Sequence, residues 1–156
     1  MRILSLLFLL LLMLSCSDRH EDGPSAIYYG EDICERCKMI ISEKEFASQY
    51  ILSDGKTVKF DDVGCMIHYL HEEKPELIKS VYVTDYDSGE WLNAEKGYFI
   101  WTEDVRTPMG YGILSLGSEQ RAQEITASEN GKYLGKLNAA TDFLLNNSEN
   151  NSDKGR

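Results

Sequence analysis

The chain has 156 residues, of which 42% are hydrophobic, and its net charge at pH 7 is −10. This length provides one or two small domains with a buried core. The acidic surface would repel phosphate backbones and no basic stretch offsets it, which argues against nucleic acid as a partner.

The chain begins with the features of an export signal. Residues 1–15 contain one positive residue, Arg2, and an apolar run shorter than the roughly 20 residues that a membrane-spanning helix needs. The residues Met-Leu-Ser-Cys that end at Cys16 resemble a lipobox, in which the cysteine is lipidated and becomes the new N-terminus. We therefore predict a lipid-anchored protein of the cell envelope that faces the periplasm, on the inner or the outer membrane. The alternative is simple cleavage and secretion.

Cleavage before Cys16 would leave a polar tether, residues 16–26, and three further cysteines. Cys34, Cys37 and Cys65 are an odd number for an oxidising compartment, where a scaffold of disulfides uses an even number. At least one thiol is therefore expected to be free for chemistry. The alternative is a Cys34–Cys37 disulfide with a buried and inert Cys65.

The folded part is predicted to span residues 27–145 and to begin with a hairpin. Two β-prone runs, residues 46–52 and 56–60, are joined across Ser53-Asp54-Gly55. Asp-Gly between two such runs is a strong hairpin signal.

A helix is predicted next, over residues 64–72. No breaker interrupts this stretch before Pro75, and Asp61 and Asp62 can cap its N-terminus. Apolar and polar residues then alternate over 81–86, which predicts a strand. The first half of the folded part is therefore expected to be hairpin, helix and strand.

The second half is predicted to repeat that kind of order. The expected elements are strands at 91–94, 98–101 and 112–116, a helix at 118–130, a strand at 132–137 and a helical turn at 141–145. The Asn/Ser-rich residues 146–156 are predicted to be disordered. The order predicts an α+β fold of two similar units, at about 27–86 and 87–145.

Two thiols and a thioether lie within six residues at Cys34-x-x-Cys37-x-Met39. These sulfur ligands are soft and suit Cu(I), whereas zinc takes Cys and His but seldom Met. Cys-x-x-Cys is also the spacing of thiol–disulfide oxidoreductases, in which it begins a helix in a βαβ setting. Since no strong strand precedes the motif and a hairpin follows it, copper is the favoured interpretation and redox exchange the alternative.

Cys65 is predicted near a helix N-terminus, where the helix dipole would lower the thiol pKa and favour thiolate, although Asp61 and Asp62 would oppose this. His68 lies on the same helical face, but a packed or solvated side chain is the more usual role for a lone histidine. Met66 lies about 100° round the helix from Cys65 and is predicted to belong to the core.

Met109 is flanked by Pro108 and by Gly110 and Gly112, which predicts a shaped loop that offers a thioether. The alternative is a methionine that fills a hydrophobic gap. No arrangement of Ser, His and Asp suggests a nucleophile with its base, and no Gly-rich phosphate loop follows a strand. The chain is therefore not expected to be an enzyme.

In chain order, these motifs resemble those of one known family. They are Cys16, Cys34-x-x-Cys37-x-Met39, Phe60-Asp61-Asp62-Val63-Gly64-Cys65-Met66, Val83-Thr84-Asp85-Tyr86 with Gly89-x-Trp91, and Pro108-Met109-Gly110-x-Gly112. Together they are similar to the NosL family over most of residues 28–135. The resemblance implies two small ββαβ-type units. It also implies a Cu(I) chaperone lipoprotein that supplies nitrous-oxide reductase, or its assembly proteins, with copper for the copper–sulfur active site.

The resemblance further implies a ligand set. Cys37 and Met109 are the first candidates for copper ligands, and Cys34, Met39 and Cys65 are the second. Two or three sulfur ligands with one position open to a partner would allow transfer by ligand exchange. Lys38 stands where relatives often have Gly, which leaves the conformation of this turn open.

Overall fold

The computed structural model of the protein describes residues 23–75 and 77–153. The predicted signal peptide, the lipidation site at Cys16 and most of the tether lie outside these residues. Within the described ranges, no helix is both long enough and apolar enough to cross a membrane. The elements in chain order are β1 (Ser48–Leu52), β2 (Thr57–Phe60), α1 (Val63–Glu73), β3 (Ile78–Thr84), β4 (Trp91–Asn93), β5 (Tyr98–Trp101), β6 (Ile113–Leu116), α2 (Glu119–Ser128), β7 (Lys132–Gly135) and α3 (Leu137–Asp153).

The first sheet is antiparallel, with the strand order β2-β1-β3-β4. Strands β1 and β2 pair from Ser48 opposite Phe60 to Ile51 opposite Thr57, so the predicted hairpin is confirmed. Gly55 has a φ of 87°, a conformation that glycine adopts without steric cost. The Asp-Gly pair thus sets the turn, and the turn sets the register.

Helix α1 follows the hairpin directly and is also confirmed. Its N-cap is Asp62, whose carboxylate accepts a hydrogen bond of 2.7 Å from the backbone N–H of Gly64. The helix ends at Lys74, which is left-handed with a φ of 45° and precedes Pro75. Residues 63–68 are all buried, so the first turns of the helix lie inside the protein.

The second sheet is also antiparallel, with the order β6-β5-β7, and α2 connects β6 to β7. The order β2-β1-β3 of the first sheet and the order β6-β5-β7 of the second are the same arrangement. The prediction of two ββαβ units in an α+β fold is therefore confirmed. The predicted boundary at residue 86 differs, because β4 pairs with β3 through Tyr82–Asn93 to Thr84–Trp91 and belongs to the first sheet.

One apolar core joins the two units. It contains side chains from both sheets and from α1 and α3, among them Phe60, Met66, Phe99, Ile113 and Leu144. A smaller cluster lies under α2. Because the larger core crosses the boundary between the units, neither unit buries its apolar surface alone.

The folded part is longer than predicted at both ends. Ser25 exchanges hydrogen bonds with the side chain of Gln49 in β1, which fixes a residue expected in the tether. Helix α3 runs to Asp153, where the sequence predicts a helical turn at 141–145 followed by disorder. Ala140 and Leu144, four residues apart, are buried against the shared core, which explains why a helix begins here despite the polar residues that follow.

Candidate metal centre

The Cys-x-x-Cys motif lies in a tight turn. Ile33 and Ile40 form an antiparallel bridge, and inside it the N–H of Cys34 donates to the carbonyl of Met39 at 2.8 Å. Lys38, in the part of the turn whose conformation the sequence left open, has a φ of 63° and is therefore left-handed although it carries a side chain. The turn is fixed to β2 by a hydrogen bond of 2.9 Å from the N–H of Glu35 to the carbonyl of Lys59.

This turn brings two cysteines to the start of α1. The Sγ atoms of Cys34, Cys37 and Cys65 and a carboxylate oxygen of Asp61 all lie within 4.8 Å of one another. The three thiols are free. Cys34 and Cys65 have no exposed surface and Asp61 is 2% exposed, whereas Cys37 is partly exposed. The cluster is therefore buried and borders solvent at Cys37.

Asp61 shows that this cluster suits a cation. One of its carboxylate oxygens accepts a hydrogen bond from the Cys37 thiol at 3.3 Å. The other oxygen, Oδ1, is buried and has no hydrogen-bond partner among the described residues. A buried, unpartnered carboxylate oxygen is costly, and a metal ion beside it would remove that cost. Three sulfurs and one oxygen make a ligand set for a soft or borderline metal.

The sequence did not identify Asp61 as a candidate ligand. It predicted that Asp61 and Asp62 both serve the helix N-terminus, whereas only Asp62 is the N-cap. A helix N-cap needs one carboxylate, whereas Asp61 and Asp62 together provide two. The extra carboxylate, between the end of β2 and Cys65, is the sequence feature that would have indicated Asp61 as a candidate ligand.

The three thiols differ in acidity. A hydrogen bond from Cys65 lowers the pKa of Cys34 to about 6, although burial opposes this. The same hydrogen bond, together with burial, raises the pKa of Cys65, and burial raises the pKa of Cys37 to about 12. The sequence left the acidity of Cys65 open between the helix dipole and the two aspartates, and the pKa of Cys65 is raised. The thiol of the cluster whose pKa is lowered is that of Cys34.

The loop between β5 and β6 lies against the N-terminus of α1, beside the cluster. The second carboxylate oxygen of Asp62 accepts a hydrogen bond of 3.1 Å from the N–H of Met109. Gly110 and Gly112 have φ values of 70° and 67°, so the predicted shaped loop is confirmed. Met109 is 36% exposed and Met39 is 54% exposed. Both methionines are thus accessible at the surface, as Cys37 is in part, whereas Cys34 and Cys65 are buried.

The remaining candidates have other surroundings. His68 is buried with its ring centroid 5.1 Å from that of Tyr111, and it is not part of the Cys/Asp cluster. Met66 is fully buried in the core, as predicted. Neither residue adds a ligand atom to the site.

The fold and the cluster together define a small α+β protein with a buried, sulfur-rich cluster that could hold a metal ion. The sequence model of the NosL family matches residues 27–143, and the chain belongs to that family. Among solved structures it is similar to "Crystal structure of the copper chaperone NosL from Shewanella denitrificans", at 21% identity and a TM-score of 0.62, over 70% of this chain and 90% of that chain. That similar protein is described as a copper chaperone. A comparison with curated proteins found no match.

Proposed function

We propose that this protein is a Cu(I) chaperone that holds copper between the sulfur atoms of Cys34, Cys37 and Cys65. The observation that carries the proposal is the convergence of these three free thiols, with Asp61, within 4.8 Å. Thiolates are the ligands that Cu(I) prefers. Met109 and Met39, which are more exposed, are the thioethers that would complete the coordination of the ion and receive it or pass it on.

The acidity of the thiols supports a site that loads easily. Metal binding requires deprotonated thiols, and the pKa of Cys34 is lowered to about 6 by its hydrogen bond from Cys65. One thiolate is therefore available near neutral pH to begin binding. The cation would then favour loss of the protons from Cys37 and Cys65, whose pKa values are raised while no positive charge is present.

The alternative function, thiol–disulfide exchange by Cys34 and Cys37, is less well supported. In such enzymes the attacking cysteine is partly exposed at the start of a helix. Cys34 is fully buried, and its motif lies in a turn closed by the Ile33–Ile40 bridge. A substrate disulfide could reach Cys37 only, and the pKa of Cys37 is raised to about 12 by burial, which disfavours the thiolate that would attack it.

We further propose that Cys16 is lipidated and that the protein, held at a membrane facing the periplasm, delivers copper to nitrous-oxide reductase or its assembly proteins. The lipobox-like residues before Cys16 and membership of the NosL family support this. A lipid anchor would confine transfer between chaperone and acceptor to the membrane surface.

A Cu(I) titration under reducing conditions tests the central proposal. Protein without residues 1–16 should bind one Cu(I) with near-micromolar or better affinity, and both Cys37→Ser and Met109→Leu should weaken binding. A thiol oxidoreductase would lose dithiol exchange with Cys37→Ser and be indifferent to Met109→Leu. Absence of Cu(I) binding by the unsubstituted protein would refute the proposal, and a parallel Zn²⁺ titration measures selectivity.

Delivery and anchoring need separate measurements. Copper-loaded protein should restore activity to copper-free nitrous-oxide reductase faster than the same concentration of free Cu(I) complex does. In cells, Cys16→Ala should abolish incorporation of labelled palmitate and release the protein from the membrane fraction. If the Cys16→Ala protein stayed in that fraction, the anchoring proposal would be wrong.

A further inference from the structure

Arg36, between the two cysteines of the motif, connects three segments that surround the metal centre. Its guanidinium donates to both carboxylate oxygens of Glu72 in the last turn of α1, at 3.2 Å and 2.7 Å. A third hydrogen bond, of 2.6 Å, goes to the hydroxyl of Tyr111 in the β5–β6 loop. We call Arg36, Glu72 and Tyr111 the clasp.

The clasp joins segments that carry or border the cysteine cluster. Arg36 immediately precedes Cys37, the partly exposed cysteine. Tyr111 packs so closely on Gly64, the residue before Cys65, that a Cβ at position 64 would overlap its ring. The guanidinium of Arg36 therefore joins the turn of Cys37, helix α1 and the loop of Met109. These three segments cannot separate unless its hydrogen bonds break.

We propose that this clasp is a gate, and that Arg36 is a positioning residue that sets how fast copper enters and leaves without being a ligand. This inference rests on the proposed Cu(I) site. Cys34, Cys65 and Asp61 are buried, so a competing ligand must approach past Cys37 or displace the β5–β6 loop. Displacement of the loop requires Arg36 to release Tyr111, and movement of the Cys37 turn away from α1 requires Arg36 to release Glu72.

The strength of the clasp suits a gate. Bidentate, charge-assisted hydrogen bonds are among the stronger polar contacts on proteins. The side chains of Arg36 and Glu72 are nevertheless 25% and 48% exposed, so water and salt reach the ion pair. The clasp should be closed most of the time and still open without unfolding of the core.

The test measures exchange rates together with affinity. Cu(I) would be supplied as a bicinchoninate complex and removed with bathocuproine disulfonate, both followed by stopped flow. In Arg36→Gln we expect both the uptake rate and the release rate to rise, each by roughly three- to tenfold, while the equilibrium affinity changes by less than about twofold. Tyr111→Phe, which keeps the ring and removes only the hydroxyl, should raise both rates by a smaller factor.

The matched control is Arg121→Gln. Arg121 also forms a bidentate ion pair, but between α2 and Asp87 in the β3–β4 loop and not at the clasp, so its loss should leave both copper rates unchanged. Raising the ionic strength should accelerate exchange in the unsubstituted protein and have little effect on Arg36→Gln.

The outcomes separate the gate from its alternatives. If release alone becomes faster, so that affinity falls by the same factor, Arg36 merely supports the ligands and the gate is refuted. Unchanged rates in both clasp variants refute it as well. If the unsubstituted protein binds no Cu(I), the failure belongs to the proposed function and is seen before any variant is measured.

Discussion

Helices α1 and α2 occupy the same position in two units of the same strand order, yet only α1 begins inside the protein. Residues 63–68 of α1 are buried, whereas α2 buries only Ala122 and Ile125. Both helices have a side-chain N-cap, Asp62 in α1 and Ser118 in α2. Topology and capping are thus shared, and depth of burial is what distinguishes the helix that carries Cys65.

The hairpin loops of the two units also differ. Four residues, 53–56, connect β1 to β2, whereas eleven, 102–112, connect β5 to β6. The longer loop crosses to the first unit, where it contacts Asp62, Gly64 and Arg36. The second unit therefore contributes to the site through a loop, and the first through its sheet, its helix and the turn of Cys34.

The largest expected effect distinguishes the role of α1 in copper binding from the role of α2 in stability. Cys65→Ser should weaken Cu(I) binding by more than about a hundredfold, since even the partners of metal ligands account for about 10–100-fold, and should leave the apo protein folded. Ile125→Val, in α2, should instead lower the free energy of unfolding by about 0.5–1.5 kcal/mol with no change in copper affinity. Competition titration and chemical denaturation measure both. If Ile125→Val weakened Cu(I) binding as much as Cys65→Ser does, this difference between α1 and α2 would be contradicted.

The next effect concerns the contact between the units. A methyl group at Gly64 would overlap the ring of Tyr111, so Gly64→Ala should lower the free energy of unfolding by about 1–3 kcal/mol. Alanine normally favours a helix over glycine, so a gain in stability would show that the loop is not packed on α1. Gly23→Ala is the control, because nothing lies within 4 Å of its added Cβ.

A smaller, pH-dependent effect concerns Asp85, which connects the end of β3 to Gly117 at 2.6 Å. Burial opposes its ionisation, but hydrogen bonds from the N–H groups of Ser88, Gly117 and Asp87 hold its pKa below the usual value. Its stabilising contribution is therefore present above the unfolded-state pKa of about 4 and is lost as pH falls through the lower, folded-state pKa. Between pH 7 and pH 3, the unfolding temperature of Asp85→Asn should therefore change less with pH than that of the unsubstituted protein. Asp142→Asn, which removes an exposed carboxylate from α3, should follow the unsubstituted protein.

The smallest effect concerns the turn of Cys34. Lys38 is left-handed, so Lys38→Gly should raise the free energy of unfolding by roughly 0.5 kcal/mol. The exposed Lys38–Glu35 ion pair that it removes contributes little. The control is Lys56→Gly in the β1–β2 turn. Lys56 is not left-handed, so replacing it with glycine should leave the free energy of unfolding unchanged or lower it. A loss of stability in Lys38→Gly would mean that this turn does not need a left-handed residue.

Much of the fold could be predicted because its signals are local. Asp54-Gly55 marks the first turn, Asp62 the start of α1, and alternating residues mark the strands. The sheet to which β4 belongs and the length of α3 depend on contacts between distant residues, which no local pattern contains. Helix α3 in particular is stabilised by Ala140 and Leu144 in the shared core, so its polar composition alone misled the prediction.

The sequence offered Cys34, Cys37 and Cys65 as candidate ligands together with Met39 and Met109, and the structure brings the three thiols together. It did not indicate how the acidity of the three thiols differs. Which thiol is ionised depends on the direction of the hydrogen bond between Cys65 and Cys34, and that is a property of their packing. Asp61 joins the group because β2 ends beside Cys37, a proximity between residues 24 positions apart.

The unpartnered oxygen of Asp61 has a consequence for the lifetime of the protein. Any ligand that binds only the folded state stabilises it by mass action. An ion that satisfies Oδ1 and the three thiols would therefore leave empty molecules less resistant to heat and proteolysis than loaded ones. Turnover would then remove metal-free molecules first, so the abundance of the protein would follow the supply of the metal.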